Sequence, residues 1–84
     1  MKIAFLPEAF GQYVEWQRQS KTVTEKINHL IEECRRHPFD GTGKPEPLKG
    51  DYSGWWSRRI DREHRLVYRA EGDTLFIAQC RYHY

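Results

Sequence analysis

The spacing of apolar residues changes along this chain from a helical period to the two-residue period of strands. In the first half, the clearest apolar stripe recurs every three or four residues, at Val23, Ile27, Leu30, Ile31 and Cys34. After Gly54, the pattern changes to that of strands, over 55–60, 64–70 and 74–82 or beyond. The first pattern predicts an amphipathic helix and the second predicts strands. The chain therefore divides into a helical first half and a strand-rich second half.

The first half begins with a short strand over residues 2–6 and continues with two helices. Pro7 suits the first position of the first helix, where its missing N–H costs no hydrogen bond. Ser20 and Thr22 are both candidates to cap the second helix, and Pro38 ends it. The two helices are therefore expected to form an αα-hairpin.

The predicted strands are separated by short turns at 62–63 and 72–73, so they should pair as an antiparallel meander. A short extended piece is expected around residues 46–48, in the polar loop before them. The order of elements predicts an α+β fold, with two N-terminal helices packed on one face of an antiparallel sheet of about four to five strands. At 84 residues, the chain is expected to form a single domain spanning 1–84.

Alternation within the strands also predicts which side chains share a face. If residues 71–73 form a three-residue turn, Arg65 shares a face with Gln79, Arg81 and His83, whereas a two-residue turn reverses that match. We favour the three-residue turn because it gathers polar side chains on the face opposite the helices. The apolar residues that this register leaves on the polar face, for a partner protein to cover, are Val67, Leu75 and Ile77.

The distribution of arginine is more informative than the net charge, which is only +2. The arginines of the second half are Arg58, Arg59, Arg62, Arg65, Arg69 and Arg81. Arginine makes forked contacts with phosphate, so these side chains are candidates for a phosphate-binding face. The alternative is a solvated face of the sheet with local ion pairs.

Cysteine usage and hydropathy exclude other classes of protein. Cys34 and Cys80 are isolated and fall on apolar faces, so we expect reduced core thiols rather than a disulfide or a zinc site. No apolar run is long enough to span a membrane, and no signal-peptide pattern opens the chain. A cytoplasmic location without membrane contact is therefore expected.

The candidate chemistry is cleavage of RNA by its own 2′-hydroxyl. A base removes the proton from that hydroxyl, an acid protonates the leaving 5′-oxygen, and cations hold the extra charge on the phosphate. The chain offers one carboxylate held between two prolines, Glu46, and one imidazole at the end of the last predicted strand, His83. The remaining members of this set are Arg59, Arg65, Arg81 and Tyr84. This chemistry requires no metal or other cofactor, and the sequence offers no metal-ligand cluster.

These residues also have ordinary interpretations. Glu46 taken alone is most simply a loop glutamate, and His83 an exposed histidine on an aromatic edge strand. We nevertheless expect the stretch 80–84 to be part of the site, because it continues an ordered strand where most small domains end in frayed polar residues. The glycine-rich loop at 41–44 is rejected as a nucleotide-binding loop because its spacing and context are wrong.

Four motifs in this order resemble a YoeB-type toxin of the RelE superfamily. They are Pro38-Phe39 with the Gly-x-Gly-Lys-Pro-Glu-Pro-Leu-Lys run that ends at Lys49, Ser53-Gly54-x-Trp56-Ser57-Arg58-Arg59-Ile60, Glu63-His64-Arg65-Leu66-Val67-Tyr68, and Cys80-Arg81-Tyr82-His83-Tyr84. The resemblance runs the full length of the chain and implies a RelE-like fold, which is also microbial-ribonuclease-like.

The resemblance implies the toxin of a type II toxin–antitoxin system. Such a toxin is an endoribonuclease that enters the ribosomal A site, cuts the mRNA there without a metal, and so inhibits translation. The roles it implies are the carboxylate on Glu46, the phosphate-contacting arginine on Arg65, the catalytic histidine on His83, the terminal tyrosine on Tyr84, and further basic positions on Lys49 and Arg59. Its implied partners are the ribosome, mRNA and a YefM-type antitoxin, and the free toxin is left open as monomer or homodimer.

Two other functions remain to be weighed. ParE-like relatives share the fold but poison DNA gyrase and lack this acid–base set. A catalytically silent module that binds RNA or the ribosome is the other alternative.

Overall fold

The computed structural model describes residues 1–82, so His83 and Tyr84 lie outside the described part of the chain. Its elements, in chain order, are β1 (Lys2–Phe5), α1 (Pro7–Gln19), α2 (Lys21–Arg36), β2 (Glu46–Pro47), a short 3₁₀ turn (Gly50–Tyr52), β3 (Trp56–Arg59), β4 (Arg65–Glu71) and β5 (Thr74–Gln79). The strands form a five-stranded sheet in the order β1-β5-β4-β3-β2.

The helical hairpin turns on Ser20. Its backbone N–H donates to the carbonyl of Trp16 and ends α1, while its side-chain Oγ accepts from the N–H of Val23 at 3.1 Å and caps α2. Ser20 is thus the N-cap of α2, rather than Thr22. Pro7 occupies the first turn of α1, as predicted. One residue therefore both separates the helices and satisfies a polar group of each.

The α+β fold and the helical hairpin are confirmed, with one addition to the strand pairing. The neighbouring strands β2 to β5 pair antiparallel, but β1 runs parallel to β5. Parallel pairing needs a long crossover connection, and the two helices, together with the later strands, lie between β1 and β5 in the chain. The sheet is therefore mixed rather than antiparallel throughout.

The predicted three-residue turn between the last two strands is wrong. Glu71 pairs with Thr74, so the turn has two residues, and Gly72 takes the first of them at φ +60°. Such turns favour glycine at that position because the backbone there is left-handed. As a result Leu75 and Ile77 point towards the helices and are fully buried, so they need no partner protein to cover them.

Towards the end of β5, a β-bulge reverses which residues of the strand face the helices. Tyr68 pairs with Ile77, but the preceding residue Val67 pairs with Gln79, which leaves Ala78 as an extra residue in β5. Beyond the bulge Gln79 shares the face of Val67 and Arg65, as predicted, although for a different reason. Val67 itself is buried, so it too needs no partner protein to cover it.

The core lies between the helices and one face of the sheet. Its buried members are Ala9, Trp16, Ile27, Leu30, Ile31, Cys34, Ile60, Leu66, Tyr68, Leu75, Ile77 and Cys80. Cys34 and Cys80 are free thiols, as predicted, and burial raises their pKa to about 11 and about 12. Within the described residues, neither helix is long and apolar enough to cross a bilayer.

Candidate active site

The candidate site lies on the face of the sheet that points away from the helices, called here the open face. Leu66 and Tyr68 of β4 face the core, so alternation turns Arg65 to the other side. Arg59 is the Cα partner of Arg65, and Glu46 is the partner of Ser57 two residues before Arg59. Three predicted residues, Glu46, Arg59 and Arg65, therefore share the open face.

Arg59 and Arg65 are directly opposed on adjacent antiparallel strands. Like charges in this arrangement repel one another, because opposed side chains start only about 4.5–5.5 Å apart at Cβ. Arg59 is exposed, while Arg65 is half-buried, with Nη1 donating to the carbonyl oxygens of Asp61 at 3.0 Å and His64 at 3.2 Å. The pair is thus a fixed concentration of positive charge at the end of two strands.

Glu46 is exposed, and its strand is held by backbone hydrogen bonds at both ends. Before it, the carbonyl of Gly43 accepts from the N–H of Arg59 at 2.7 Å; after it, the N–H of Leu48 donates to the carbonyl of Trp55 at 2.9 Å. Gly43 has φ +86°, and a Cβ built there would lie 3.0 Å from the carbonyl oxygen of Arg59. Only glycine fits this close approach, which brings the loop against β3 just ahead of the carboxylate.

The loop that leads to Glu46 is anchored on its core side by Arg58, which is fully buried. Its guanidinium donates to Glu33 Oε1 (2.5 Å), the Tyr68 hydroxyl (3.1 Å) and the carbonyl oxygens of His37, Asp40 and Thr42. Burial opposes its charge, yet the hydrogen bond with the Tyr68 hydroxyl and the nearby Glu33 carboxylate help to offset that cost, and the pKa of Arg58 is raised. Arg58 is therefore a structural residue and does not belong to the phosphate-binding face.

The glycine-rich loop at 41–44 wraps around a carboxylate of the chain itself. Thr42 donates to Glu33 through both its N–H (2.6 Å) and its hydroxyl (3.0 Å). The Thr42 N–H bond, helped by the charge of Arg58, holds the pKa of Glu33 below its ordinary value despite partial burial. The anion in this loop is Glu33, which agrees with rejecting it as a nucleotide-binding loop.

The prediction that Arg81 shares the face of Arg65 is wrong, because Arg81 lies on the helical side of the sheet. Lys49 is exposed and immediately precedes the 3₁₀ turn. Arg81 packs against α1: its guanidinium stacks 4.2 Å above the Trp16 ring, and its Nη1 lies 3.1 Å from Glu15 Oε1. Only 16% of the Arg81 side chain is exposed, so it contributes to packing the end of β5 onto α1.

His64 is a functional candidate that the sequence arguments miss. Its Nδ1 accepts from the backbone N–H of Tyr82 at 2.7 Å, and the N–H of the next residue, Arg65, donates to the carbonyl of Tyr82 at 3.0 Å. The alternation of β4 contains a signal for this, since His64 has the same parity as the inward-facing Leu66. His83 and Tyr84, which follow Tyr82 in the sequence, lie outside the described residues.

The arrangement provides an exposed carboxylate and two opposed guanidinium groups on one surface. A carboxylate can accept a proton, and guanidinium groups can hold a phosphate as its charge increases. Among residues 1–82, no three His, Cys, Asp or Glu side chains lie close enough together to hold a metal ion.

A solved structure of low sequence identity shares the fold. YafQ from Escherichia coli superposes with a TM-score of 0.80 at 16% identity, over 96% of this chain and 91% of YafQ. At that identity the likeness shows the fold alone. Two helices on a five-stranded mixed sheet are thus shared with YafQ.

The chain belongs to the family of YoeB-like toxins of bacterial type II toxin–antitoxin systems, whose model matches residues 5–84. It is 55% identical to toxin YoeB of Escherichia coli K12 over 84 residues, all of both chains. It is similar to a solved YoeB/ParE toxin from Agrobacterium tumefaciens, at 51% identity and a TM-score of 0.97 over all of both chains. A solved YoeB–YefM complex from Staphylococcus aureus contains a chain 44% identical, with a TM-score of 0.92 over 100% of this chain and 98% of that one.

Proposed function

We propose that this toxin is a ribosome-dependent mRNA interferase, an endoribonuclease that cuts mRNA in the ribosomal A site. The observation that carries the proposal is the opposed pair Arg59 and Arg65, on the same face as the exposed carboxylate of Glu46. Two opposed guanidinium groups repel each other in the free protein, and a phosphate between them would relieve that repulsion.

In the proposed reaction, Glu46 removes the proton from a ribose 2′-hydroxyl, and the resulting oxygen attacks the adjacent phosphorus. Arg65, aided by Arg59, balances the added negative charge on the phosphate oxygens. The bond from phosphorus to the 5′-oxygen breaks as His83 protonates that oxygen. The products are a 2′,3′-cyclic phosphate and a 5′-hydroxyl end.

The remaining predicted residues have supporting roles in this proposal. Tyr84 completes the site next to the proposed acid, His83. Lys49, exposed beside the 3₁₀ turn, contacts the RNA backbone. For Arg81, phosphate binding stays a prediction, because its ion pair with Glu15 and its stacking on Trp16 would first have to open.

The shape of the molecule supports a macromolecular substrate that another surface positions. Two depressions of about 260 Å³ lie on the helical side, one lined by α2 residues and the other between β1 and the helices. Neither is lined by Glu46, Arg59 or Arg65. Proximity contributes much of a catalytic rate, so an open site of this kind depends on a second surface to hold the RNA, a role the ribosome would fill.

An antitoxin of the YefM type is the proposed protein partner. The solved Staphylococcus aureus relatives are a YoeB dimer and a heterotetrameric YoeB–YefM complex. The exposed basic side chains of this chain, including Lys49, Arg59 and Arg62, favour an acidic segment in the partner. The free toxin of this chain is likewise proposed to form a homodimer in solution.

The deciding experiment incubates the toxin with purified ribosomes and mRNA and maps the new RNA ends. The toxin should give cuts with a 5′-hydroxyl at the A-site codon, and Glu46→Gln should bind ribosomes but cut slowly, by roughly 10²–10⁴-fold. A gyrase poison would leave the mRNA intact, and a silent binder would slow translation without new ends. A 3′-hydroxyl product, or equal cutting by Glu46→Gln, contradicts the mechanism.

Arg65 and Arg69 form a matched pair for the same assay. Both lie on the open face of β4, but Arg69 lies on the other side of the bulge, with its Nη2 3.6 Å from Glu71 Oε2. Arg65→Gln should lower cutting by roughly 10²–10³-fold, as loss of one charge-stabilising donor does. Arg69→Gln should stay within about threefold of the parent toxin, so equal losses would assign the effect to general positive charge.

A further inference from the structure

The end of the chain is held at Tyr82 through its backbone. His64 Nδ1 accepts from the Tyr82 N–H at 2.7 Å, the Arg65 N–H donates to the Tyr82 carbonyl at 3.0 Å, and Gln79 Nε2 donates to the same carbonyl at 3.2 Å. Both backbone polar groups of this one residue are therefore bonded to side or main chain elsewhere in the fold. The anchored residue immediately precedes the proposed acid in the sequence.

We propose that His64 is a positioning residue for the active site, which fixes the backbone at Tyr82, the residue that precedes the proposed acid His83 in the sequence. This inference rests on the proposed function. His64 does not touch the RNA; it acts through the chain end.

The surroundings of His64 suit a fixed role. Only 8% of it is exposed, its ring lies edge-on against Trp16 with centroids 4.9 Å apart, and its backbone N–H donates to Asp61 Oδ1 at 2.7 Å. An imidazole nitrogen that accepts an N–H carries no proton, so the hydrogen of the neutral ring is on Nε2, which faces Glu63 Oε1 at 3.6 Å. Packing, backbone and tautomer thus all fix the direction of Nδ1.

The conformation of Tyr82 explains why an anchor is needed. Its φ is +64°, in the left-handed region that L-residues with a β-carbon seldom adopt. A tyrosine ring that is more than half exposed, at 56%, offers little packing to hold that conformation. The hydrogen bonds that Tyr82 makes with His64 and Arg65 offset its cost, and the chain turns at this residue as a result.

The same dipeptide also carries the proposed charge stabiliser. Arg65 contributes its side chain to the open face and its backbone N–H to Tyr82, while His64 contributes its ring to the core side. The phosphate-contacting arginine and the anchor of Tyr82 therefore belong to one short segment of backbone. A shift of about 1 Å in such a group can lower a rate by roughly 100-fold.

Three substitutions of His64 distinguish the effect of its hydrogen-bond acceptor from the effect of its ring. His64→Asn places an acceptor oxygen close to the position of Nδ1, and His64→Gln places it close to Nε2, one atom too far. His64→Phe keeps the ring against Trp16 but has no acceptor. We expect kcat for ribosome-dependent cutting to fall by roughly 100-fold in His64→Phe and His64→Gln, with KM for ribosomes within about threefold, and to recover to within about tenfold in His64→Asn.

Amide hydrogen exchange at Tyr82 gives a readout that needs no ribosome. Loss of the acceptor should speed exchange of the Tyr82 amide by roughly tenfold in His64→Phe and His64→Gln, and much less in His64→Asn. If His64→Phe does not fold, the Asn and Gln variants decide the question, because both carry the same amide group and place its acceptor oxygen at different distances from the backbone.

The two hypotheses fail in different ways. If the parent toxin cuts no mRNA, the proposed function is wrong, and Tyr82 exchange still decides whether His64 anchors the chain end. If the parent toxin cuts and the Phe and Gln variants cut at the parental rate, or if all three variants lose activity equally, the positioning role is wrong and the proposed function stands.

Discussion

The two ends of the candidate site are held by different kinds of interaction. The loop leading to Glu46 is anchored by buried Arg58, whose charged guanidinium bonds to Glu33, to the Tyr68 hydroxyl and to three backbone carbonyls. The chain end is anchored at Tyr82 by neutral hydrogen bonds, chiefly from His64 and Arg65. Charge-assisted bonds are roughly twice as strong as neutral ones, and removing one partner of a buried ion pair is costly.

This difference assigns different tasks to the two ends. The Glu46 end belongs to the global fold, so it should open only when the protein unfolds. The Tyr82 end depends on a few weak bonds near an exposed ring, so it should open locally at much lower free energy. The proposed base is therefore preorganised by the core, while Tyr82, which precedes the proposed acid in the sequence, is held by bonds that a partner or a substitution can adjust.

Arg58→Leu is the substitution expected to weaken the anchor of the Glu46 loop most. It leaves the Glu33 carboxylate and three carbonyl oxygens without their common donor, so the free energy of unfolding should fall by about 3 kcal/mol. Urea denaturation measures this. Arg62→Leu, at an exposed arginine in the turn after β3, is the control and should stay within about 0.5 kcal/mol. A loss below about 1 kcal/mol in Arg58→Leu would show that the charged network is not the main anchor.

Gly43→Ala tests the close approach of the loop to β3. A Cβ at φ +86° would lie 3.0 Å from the Arg59 carbonyl oxygen, so both strain and contact should destabilise the protein by about 2 kcal/mol. Gly72→Ala is the matched control, since its φ is +60° and a Cβ there meets nothing within 4 Å. Gly72→Ala should lower the free energy of unfolding by about 1 kcal/mol. The same loss at both positions would mean that the contact with the Arg59 carbonyl oxygen does not destabilise Gly43→Ala.

Tyr68→Phe removes one polar link of the same anchor while keeping the ring in the core. The hydroxyl donates to the Pro38 carbonyl at 2.6 Å and accepts from Arg58 Nε at 3.1 Å, so its loss should cost about 1–1.5 kcal/mol by urea denaturation. Tyr13→Phe loses a hydroxyl bond to Asn28 at an exposed site and should cost less than about 0.5 kcal/mol. Equal costs would mean that burial adds nothing to the bond.

The smallest expected effect is the loss of stability in acid that is caused by protonation of Glu33. The Thr42 N–H bond and the nearby Arg58 charge lower the pKa of Glu33 from its ordinary value of 4.5, so the folded state binds fewer protons there than the unfolded state. The stabilisation from this group is present above pH 4.5 and is lost as pH falls below it, through the folded pKa. Thermal unfolding between pH 6 and 3 should show this loss in the parent toxin, and less of it in Glu33→Gln. Glu25→Gln, at an exposed position on α2, should keep the parental pH dependence.

The sequence predicts well whatever depends on periodicity. The stripe from Ile27 to Cys34 identifies the buried side of α2, and the alternation of β4 correctly separates Arg65 from Leu66. The short extended piece predicted around residues 46–48 corresponds to β2, although its pairing with β3 is seen only in the structure. These features depend on local spacing, which is visible along the chain.

The contacts that depend on register and burial could not be predicted in the same way. The turn between β4 and β5 has two residues rather than the predicted three, so the face of Leu75 and Ile77 was misassigned. The bulge beyond Ile77 then changes the alternation again, without a strong local signal in the sequence. Arg58 and Arg59 are adjacent and identical in the sequence, yet one is fully buried and the other exposed. What separates them is the Glu33 carboxylate on α2, which approaches Arg58 only in the folded chain. The positions of His83 and Tyr84 in the site remain predictions.

The extra residue in β5 also constrains how sequences of this fold can vary. Leu75 and Ile77 reach the core from odd-numbered positions, whereas Cys80 reaches it from an even-numbered one. The extra residue, Ala78, makes both possible, because it shifts the alternation of side chains by one position. Deleting that single residue would rotate everything after it by half a turn of the strand, exchanging the inward and outward side chains at the chain end. Insertions and deletions among relatives should therefore be tolerated in the polar loop between β2 and β3, but excluded from the last few residues of β5. The length of this strand, as much as the identity of any side chain, would then be under selection.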